Sequence, residues 1–259
     1  MQYKMFAAID IGSYEVGMKI YELSRSKGMK EIDSVTHRLE LGKEAYAAGK
    51  ISVEKIESLC KLLQSFKTIM AGYKVDAYRA CGTSAMRETK NRVIIQDYLE
   101  KKTGLKIEIL SNSEQRFLDY KSIASSENEF NKIIQKGTAI VDVGGGSVQI
   151  SLFDKDRLIS TQNIRIGNLR IRERLSSFEK NVTHIERVIE EMVSSDLVSY
   201  KKMYLKEREI KNLIVVGDNF CDVAKVPSMT SEEFRKLYEL VTEYSIDEAA
   251  EKLDVHAES

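Results

Sequence analysis

Two short stretches decide the fold: MFAAIDIGSYEVGM at residues 5–18 and TAIVDVGGGSVQI at residues 138–150. In each, an apolar run reaches an aspartate, passes through a glycine turn and continues into a second run of partly alternating hydrophobicity. This pattern is typical of two strands joined by a tight turn. Its recurrence in the two halves of the chain is a weak internal repeat, which predicts two related α/β domains. Because strand–aspartate–glycine turns are common, a chance match is the alternative.

Strands and helices alternate through the rest of the sequence. After Ser52, apolar residues recur every three or four positions as far as Met70, which predicts a helix with Ser52 as its N-cap. Residues 113–135 predict a further helix between the two halves. We therefore place the first domain at residues 1–124 and the second at residues 125–259.

Composition restricts the class of protein. Lys and Arg total 40, as do Asp and Glu, and 42% of the 259 residues are hydrophobic, as in a folded globular protein rather than a disordered one. A net charge of zero argues against a chain that wraps nucleic acid, so anion binding must be local. The sequence has no membrane-spanning run and no signal-peptide pattern, and its three scattered cysteines favour a reducing compartment. We expect a cytoplasmic protein without a nucleic-acid or membrane partner.

The two glycine turns have the chemistry of an anion site. Glycine lacks a Cβ, so the backbone at Gly12 and at residues 144–146 can approach a ligand closely, and successive N–H groups in such turns form anion-binding nests. Asp10 and Asp142 precede the turns, and a carboxylate repels a phosphate unless a divalent cation such as Mg²⁺ lies between them. The pairing, found twice, predicts a metal–phosphate site in a cleft between the domains. Two ordinary hairpin turns with aspartate as a turn residue are the alternative.

A third stretch, CGTSAMRETKNR at residues 81–92, follows a predicted strand. Thr83 or Ser84 would cap a helix whose free N–H groups favour an anion, and Arg87 lies about one turn further. The planar guanidinium of an arginine matches phosphate oxygens better than a lysine does. On its own, the stretch also fits an ordinary capped helix with a surface arginine.

With KIEILSNSEQRFLDY at 106–120 and NIRIGNLRIRERL at 163–175, these stretches resemble the exopolyphosphatase and guanosine pentaphosphate phosphohydrolase family, part of the wider actin, sugar-kinase and Hsp70-like group. The resemblance implies two actin-like (ribonuclease H-like) α/β domains, with mixed sheets flanked by helices, around a cleft. It implies Mg²⁺-dependent release of terminal phosphate from inorganic polyphosphate or guanosine pentaphosphate, with a glutamate as base on the attacking water. Family members often form homodimers, and the sequence leaves the oligomeric state open.

Carried over by position, the resemblance assigns three kinds of site residue. The metal would face Asp10 and Asp142. The phosphate-binding residues would be Gly12, Ser13, Thr83, Ser84, Arg87, Gly144, Gly145, Gly146 and Ser147. The catalytic positions would be Glu114, Gln115 and Gln149.

The catalytic positions depart from the family pattern. Gln149 stands where the family has a glutamate after Gly-Gly-Gly-Ser-Thr, and an ungapped placement puts Gln115 on the second of two adjacent family glutamates. Glu114 is then the best remaining base. An amide cannot take a proton from water at neutral pH, and losing a general base typically costs ~10²–10⁴-fold in rate. The tail at 229–259 is predicted as a helix on a second domain that is shorter than in the family.

Three functions are therefore compatible with the sequence. The first is an exopolyphosphatase-like phosphohydrolase, and the second is a catalytically weakened protein of the same fold that binds polyphosphate or an alarmone. The third, an ATP-dependent kinase, is disfavoured because no glycine pair follows residues 213–217, where kinase relatives support adenosine. Arg170 and Arg174 either widen a polyphosphate channel electrostatically or form a solvated helix face, and we favour the solvated face.

Overall fold

The computed structural model describes residues 3–126, 130–175, 185–217, 228–244 and 246–253. Within these residues the chain forms two separate β-sheets with helices packed against them. We call the first sheet with its helices the first lobe and the second sheet with its helices the second lobe. No helix in the described ranges combines the length and the apolarity needed to cross a bilayer.

The first sheet has five strands in the order β3-β2-β1-β4-β5. Strands β1, β2 and β3 run antiparallel to one another, whereas β4 lies parallel to β1 and β5 parallel to β4. The strands are β1 (Tyr3–Ile11), β2 (Glu15–Ser24), β3 (Gly28–Arg38), β4 (Ala77–Gly82) and β5 (Ile107–Ile109).

The second sheet repeats the central part of this arrangement in the order β8-β7-β6-β9. Its first three strands are antiparallel, and the fourth lies parallel to β6, as β4 does to β1. The strands are β6 (Thr138–Val143), β7 (Val148–Asp154), β8 (Arg157–Ile164) and β9 (Asn212–Val216). The α/β architecture with two mixed sheets, predicted from the sequence, is therefore confirmed.

The helices cover the sheets and connect them. The first lobe carries α1 (Leu41–Ala47), α2 (Val53–Gly72), α3 (Ser84–Glu88) and α4 (Arg92–Thr103). Then follow α5 (Asn112–Ser126), α6 (Phe130–Ile133), α7 (Asn168–Leu175), α8 (Ile185–Tyr200) with a π-turn at Lys201–Leu205, α9 (Ser231–Glu243) and α10 (Ile246–Leu253). The domain boundary predicted at residues 124 and 125 falls near the end of α5 and stays a prediction.

The packing of α2 explains why the first lobe has the larger core. Leu59, Leu63 and Phe66 are fully buried against the sheet, at the three- and four-residue spacing that the sequence shows. Ser52 accepts a hydrogen bond from the Lys55 N–H at 3.3 Å, so the predicted N-cap is confirmed.

Two helices differ from the sequence prediction. The single helix expected over 113–135 is described as α5 and α6, with residues 127–129 outside the described ranges. The tail helix α9 forms behind a capping box between Thr230 and Glu233, but none of its residues is buried. Its apolar face lines the space between the lobes instead of packing on the second one. Helical spacing identifies an apolar face but does not specify which surface that face meets.

Candidate functional site

A cavity of about 1470 Å³ separates the two lobes, and both predicted glycine turns open into it. Asp10 and Asp142, at the ends of β1 and β6, lie on its wall beside the turns. Of the site residues predicted from the sequence, all line this cavity except Arg87 and Glu114. The structure therefore brings the two turns, 132 positions apart at their first glycines, to one hollow.

The two turns are closed in the same way. The N–H of Gly12 donates to the Glu15 carbonyl at 2.9 Å, and the N–H of Gly144 donates to the Ser147 carbonyl at 3.0 Å. A Cβ on Gly12 would lie 2.7 Å from the Glu15 carbonyl oxygen, closer than non-bonded atoms approach. Glycine at this position is thus required by the turn itself, whatever the turn binds.

Tyr46 of α1 links the hydroxyl groups that the sequence assigns to phosphate. Its hydroxyl lies 2.6 Å from Ser13 Oγ and donates to Ser84 Oγ at 2.9 Å. The Ala85 N–H also donates to Ser13 Oγ, at 3.2 Å. Burial raises the pKa of Tyr46, which keeps the phenol protonated as a donor. Ser13 and Ser84 therefore hold the first turn, α1 and α3 together, and their phosphate-binding role stays a prediction.

Gly146 of the second turn lies against the same hydroxyl groups. A Cβ at this position would overlap Tyr46 Oη and Ser84 Oγ. The absence of a side chain at Gly146 therefore lets the second turn approach the first lobe closely.

Arg170 of α7 completes this junction between the lobes. Its Nη2 donates to Glu88 Oε2 at 2.8 Å, its Nε donates to the Gly146 carbonyl at 2.8 Å, and only 12% of its side chain is exposed. The favoured prediction of a solvated face is wrong for Arg170. Nothing in the sequence distinguishes Arg170 from the other arginines of α7, because its partners Glu88 and Gly146 come from distant parts of the chain.

Arg87 lies behind the cavity wall. Its Nη1 donates to the Leu110 carbonyl at 2.7 Å and to Gln115 Oε1 at 3.5 Å. Burial lowers the pKa of Arg87, although a guanidinium stays charged across the physiological range. Arg87 thus holds Gln115, which does line the cavity, and direct contact of Arg87 with phosphate stays a prediction.

Glu114 lies at the exposed start of α5 and away from the cavity lining. Its Oε2 accepts the Ser111 N–H at 2.8 Å, and its own N–H donates to Ser111 Oγ at 3.2 Å. This is the reciprocal arrangement of a capping box. The hydrogen bonds from Ser111 lower the pKa of Glu114, which weakens it as a base. Its catalytic role stays a prediction, and its placement favours a structural one.

Gln149 is buried at the floor of the cavity, with 3% of its surface exposed. It lies opposite Asp142 in the β6–β7 ladder, and its Nε2 donates to Asp142 Oδ2 at 3.2 Å. Within the described ranges, no group donates to its Oε1. An amide in this position stabilises the neighbouring carboxylate, whereas a glutamate would repel it.

Asp119 is a cavity residue that the sequence analysis missed. It lies on α5 one turn after Gln115, and both side chains line the cavity. Burial, together with the charges of Asp142 and Asp10, raises the pKa of Asp119 from 3.8 to about 7. The four-residue spacing from Gln115, which places both on one helix face, is the signal that could have found it.

The donor set fits a divalent cation of the Mg²⁺ type. In the part of the chain that the structure describes, no three His, Cys, Asp or Glu side chains form a ready-made metal cluster. Mg²⁺ commonly takes one or two carboxylates and completes its shell with water and substrate phosphates, which matches Asp10 and Asp142. Burial and, after it, the charges of Asp142 and Asp10 raise the pKa of Asp119, so these carboxylates are a concentration of negative charge that a cation would neutralise.

Sequence comparison gives a consistent identification. Residues 20–249 match the model of the Ppx/GppA phosphatase family. The chain is 26% identical over 178 residues to a bifunctional 3-dehydroquinate synthase/phosphatase of Fusobacterium nucleatum, covering 65% of this chain and 26% of that protein. It is 23% identical over 176 residues to exopolyphosphatase 2 of Mycobacterium tuberculosis, covering 65% of this chain and 54% of that protein. The matches thus span at most about half of these two relatives.

Structure comparison agrees. A Ppx/GppA protein of Aquifex aeolicus superposes with a TM-score of 0.75 at 20% identity, covering 99% of this chain and 85% of that one. An exopolyphosphatase from Cytophaga hutchinsonii superposes with a TM-score of 0.79 at 19% identity, covering 99% and 84%. These likenesses confirm the predicted actin-like fold. With a family model that spans most of its length, the chain belongs to the Ppx/GppA phosphatase family.

Proposed function

We propose that the protein is a phosphoanhydride hydrolase that releases the terminal phosphate of inorganic polyphosphate. The observation that carries the proposal is that two glycine turns, one from each lobe, open into one cavity beside Asp10 and Asp142. Membership in a phosphatase family supports the reaction class, and exopolyphosphatases among the curated relatives support the substrate class. Guanosine pentaphosphate ends in the same kind of anhydride and is the second substrate to test.

In this proposal the two turns bind the end of the phosphate chain through their backbone. Tyr46, Ser13 and Ser84 hold the turns at a fixed separation through their shared hydrogen bonds. Such preorganisation matters because donors that are already in place cost no reorganisation when charge develops in the transition state. Thr83 also lines the cavity, with its Oγ1 donating to the Ile11 carbonyl at 3.4 Å.

Asp10 and Asp142 are the residues that would hold Mg²⁺. When bound, the cation would neutralise phosphate oxygens and so favour attack at phosphorus. The hydrogen bond from Gln149 Nε2 fixes one oxygen of Asp142, and hydrogen bonds of this kind orient carboxylates that bind a metal.

Phosphate release from long-chain polyphosphate, with Mg²⁺ and with EDTA, tests the proposal. We expect Mg²⁺-dependent release at ordinary enzymatic rates, roughly 1 s⁻¹ or more, and a large loss in Asp10→Asn and Asp142→Asn. A parallel assay with guanosine pentaphosphate ranks the two substrates. If folded wild-type protein releases no phosphate above background from either substrate, the proposal is wrong. Light scattering of the same samples tests the homodimer that the resemblance implies.

A second candidate is a polyphosphate-binding protein with weakened catalysis. Gln115 and Gln149 support it, because both line the cavity as amides where the family pattern has carboxylates. It predicts Mg²⁺-dependent binding of polyphosphate without turnover. Equilibrium binding, measured beside phosphate release on the same preparation, separates the two candidates.

A further inference from the structure

Helix α5 has two faces that meet different parts of the molecule. On one face Tyr120 donates from its hydroxyl to Ser151 Oγ of β7, at 2.6 Å. Its ring packs edge-on against Phe153, with the ring centroids 5.3 Å apart. The other face carries Gln115, Leu118 and Asp119 into the cavity. Because Tyr120 fixes the helix on the second sheet, the adjacent Asp119 has a fixed position at the cavity wall.

Asp119 has an unused acceptor at this wall. Its Oδ2 is buried, and no group of the described chain donates a hydrogen bond to it. A buried carboxylate oxygen without a partner is costly and rare in folded proteins. Asp10 and Asp142 are close enough to act on it electrostatically, so neighbouring charge adds to the cost. If position 119 had only a structural role, Asn or Leu would cost less free energy there than Asp.

We infer that Asp119 is the catalytic carboxylate of this site and receives the proton of the water that attacks the terminal phosphorus. The inference rests on the proposed phosphohydrolase function. It replaces Glu114, whose carboxylate caps its own helix outside the cavity. One turn of helix separates Gln115 from Asp119, a rise of about 6 Å. The carboxylate that Gln115 lacks is thus supplied from the next turn of the same face.

The proposed step balances as a hydrolysis. The water oxygen forms a bond to the terminal phosphorus, and one of its protons passes to the carboxylate of Asp119. The anhydride P–O bond breaks, and the bridging oxygen leaves with the electron pair on the shortened chain. The products are inorganic phosphate and a chain one phosphate shorter, and the proton on Asp119 is then released to solvent.

Asp119→Asn is the test, because it keeps the shape of the side chain and removes its ability to take a proton. In wild type and variant, phosphate release from polyphosphate, polyphosphate affinity and thermal unfolding are measured with Mg²⁺. We expect kcat to fall by ~10²–10⁴-fold, while polyphosphate affinity is kept or increased because one negative charge is gone. Asp97→Asn, which removes an exposed carboxylate on α4, is the matched control and is expected to keep wild-type kcat.

The possible outcomes separate the inference from the proposed function. If wild type releases phosphate and Asp119→Asn loses less than tenfold in kcat, the inference is wrong and the function stands. If folded wild type releases none, the proposed function fails and the inference fails with it. Asp119→Ser is a second neutral variant in case Asp119→Asn does not fold, and it must show the same loss. If neither variant folds, Asp119 is structural and the inference is overturned.

Discussion

The guanidinium carbon of Arg170 lies 4.1 Å from the centre of the Tyr46 ring. A cation of the second lobe therefore covers an aromatic ring of the first, while its Nη2 pairs with Glu88 and its Nε holds the Gly146 carbonyl. Cation–π contacts of this kind gain strength when they are desolvated. The junction fixes the separation of the two glycine turns.

Substitution of Arg170 should lower the free energy of unfolding of the whole protein. Arg170→Met keeps much of the apolar volume but removes the donors to Glu88 and Gly146, and hydrogen bonds involving charged groups are worth about 1.5–3 kcal/mol. We expect a loss of this size in the free energy of unfolding, measured in urea. Arg172→Met, at an exposed position of the same helix, should change it by at most about 0.5 kcal/mol. Equal effects of the two substitutions would contradict the junction described here.

A methyl group at Gly146 should separate the turns. In Gly146→Ala the new Cβ meets Tyr46 Oη and Ser84 Oγ, and overpacking of this kind costs roughly 1–3 kcal/mol. We expect lower stability and a clear loss of phosphate release. Adding Tyr46→Phe removes Oη, one of the three clashing atoms, while Cζ of the ring and Ser84 Oγ remain, and should restore part of the stability.

Gly72→Ala is the control for this substitution. No heavy atom lies within 4 Å of a Cβ at that position, near the end of α2. Replacing a glycine there should be neutral or stabilise the protein by about 0.4–1 kcal/mol. If Gly146→Ala is as well tolerated as Gly72→Ala, the second turn does not touch the first lobe as described.

A glutamate at position 149 should couple stability to divalent cations. In Gln149→Glu a carboxylate replaces the amide that donates to Asp142 at 3.2 Å, and two adjacent like charges oppose each other. We expect a lower Tm in EDTA and a larger Mg²⁺-induced rise in Tm than in wild type, because a ligand stabilises the state that binds it. Thermal unfolding with and without Mg²⁺ measures both. An identical Mg²⁺ effect in the two proteins would show that the cation does not reach Asp142.

Stability should depend on pH through Asp119. Its pKa is raised from 3.8 to about 7 in the folded protein, so folding favours the protonated form. The resulting stability is complete below about pH 4 and is lost as pH rises through 7. Asp119→Asn lacks this loss, so its Tm should exceed that of wild type by more at pH 8 than at pH 5. The measurement is made in EDTA, because a bound cation would neutralise Asp10 and Asp142, the charges that face Asp119.

Asp97→Asn again controls for the removal of one exposed carboxylate. A Tm difference between Asp119→Asn and wild type that is the same at pH 5 and pH 8 would show that Asp119 is not held in a desolvated, negatively charged site. The catalytic role of Asp119 would still be decided by the kcat of Asp119→Asn.

The sequence predicts the strands and turns well because the signals for them are local. Apolar runs that end in Asp10 and Asp142, followed by glycines, specify hairpins by steric rules within a few residues. The spacing after Ser52 specifies α2 for the same reason. The recurrence of one such pattern then predicts the two sheets that the structure contains.

Side-chain destinations are less visible in the sequence because they depend on which elements meet. Arg170 and Arg174 have the same chemistry and lie one helical turn apart, yet only 12% of the Arg170 side chain is exposed, because α7 lies beside Glu88 and the second turn. Glu114 matches a family glutamate by position, but at the start of α5 its carboxylate accepts the Ser111 N–H and caps the helix. Asp119 matches no motif; its four-residue spacing from Gln115 is the one signal in the sequence, and its place in the cavity depends on how α5 packs on the second sheet.

The apolar face of α9 forms one side of the cavity through Phe234, Leu237, Tyr238 and Val241. Hydrocarbon polarises weakly, so it screens electric fields less than water does, and walls of low dielectric constant focus field lines across a cleft. Lys19, Arg38 and Arg79 also line the cavity, each paired with a glutamate, and the charges of the lining therefore act over a longer range on whatever occupies the gap. The tail helix α9 thus acts as an electrical insulator at one side of the cavity. Polar substitutions on its apolar face should make the affinity for a polyanion depend more steeply on salt concentration.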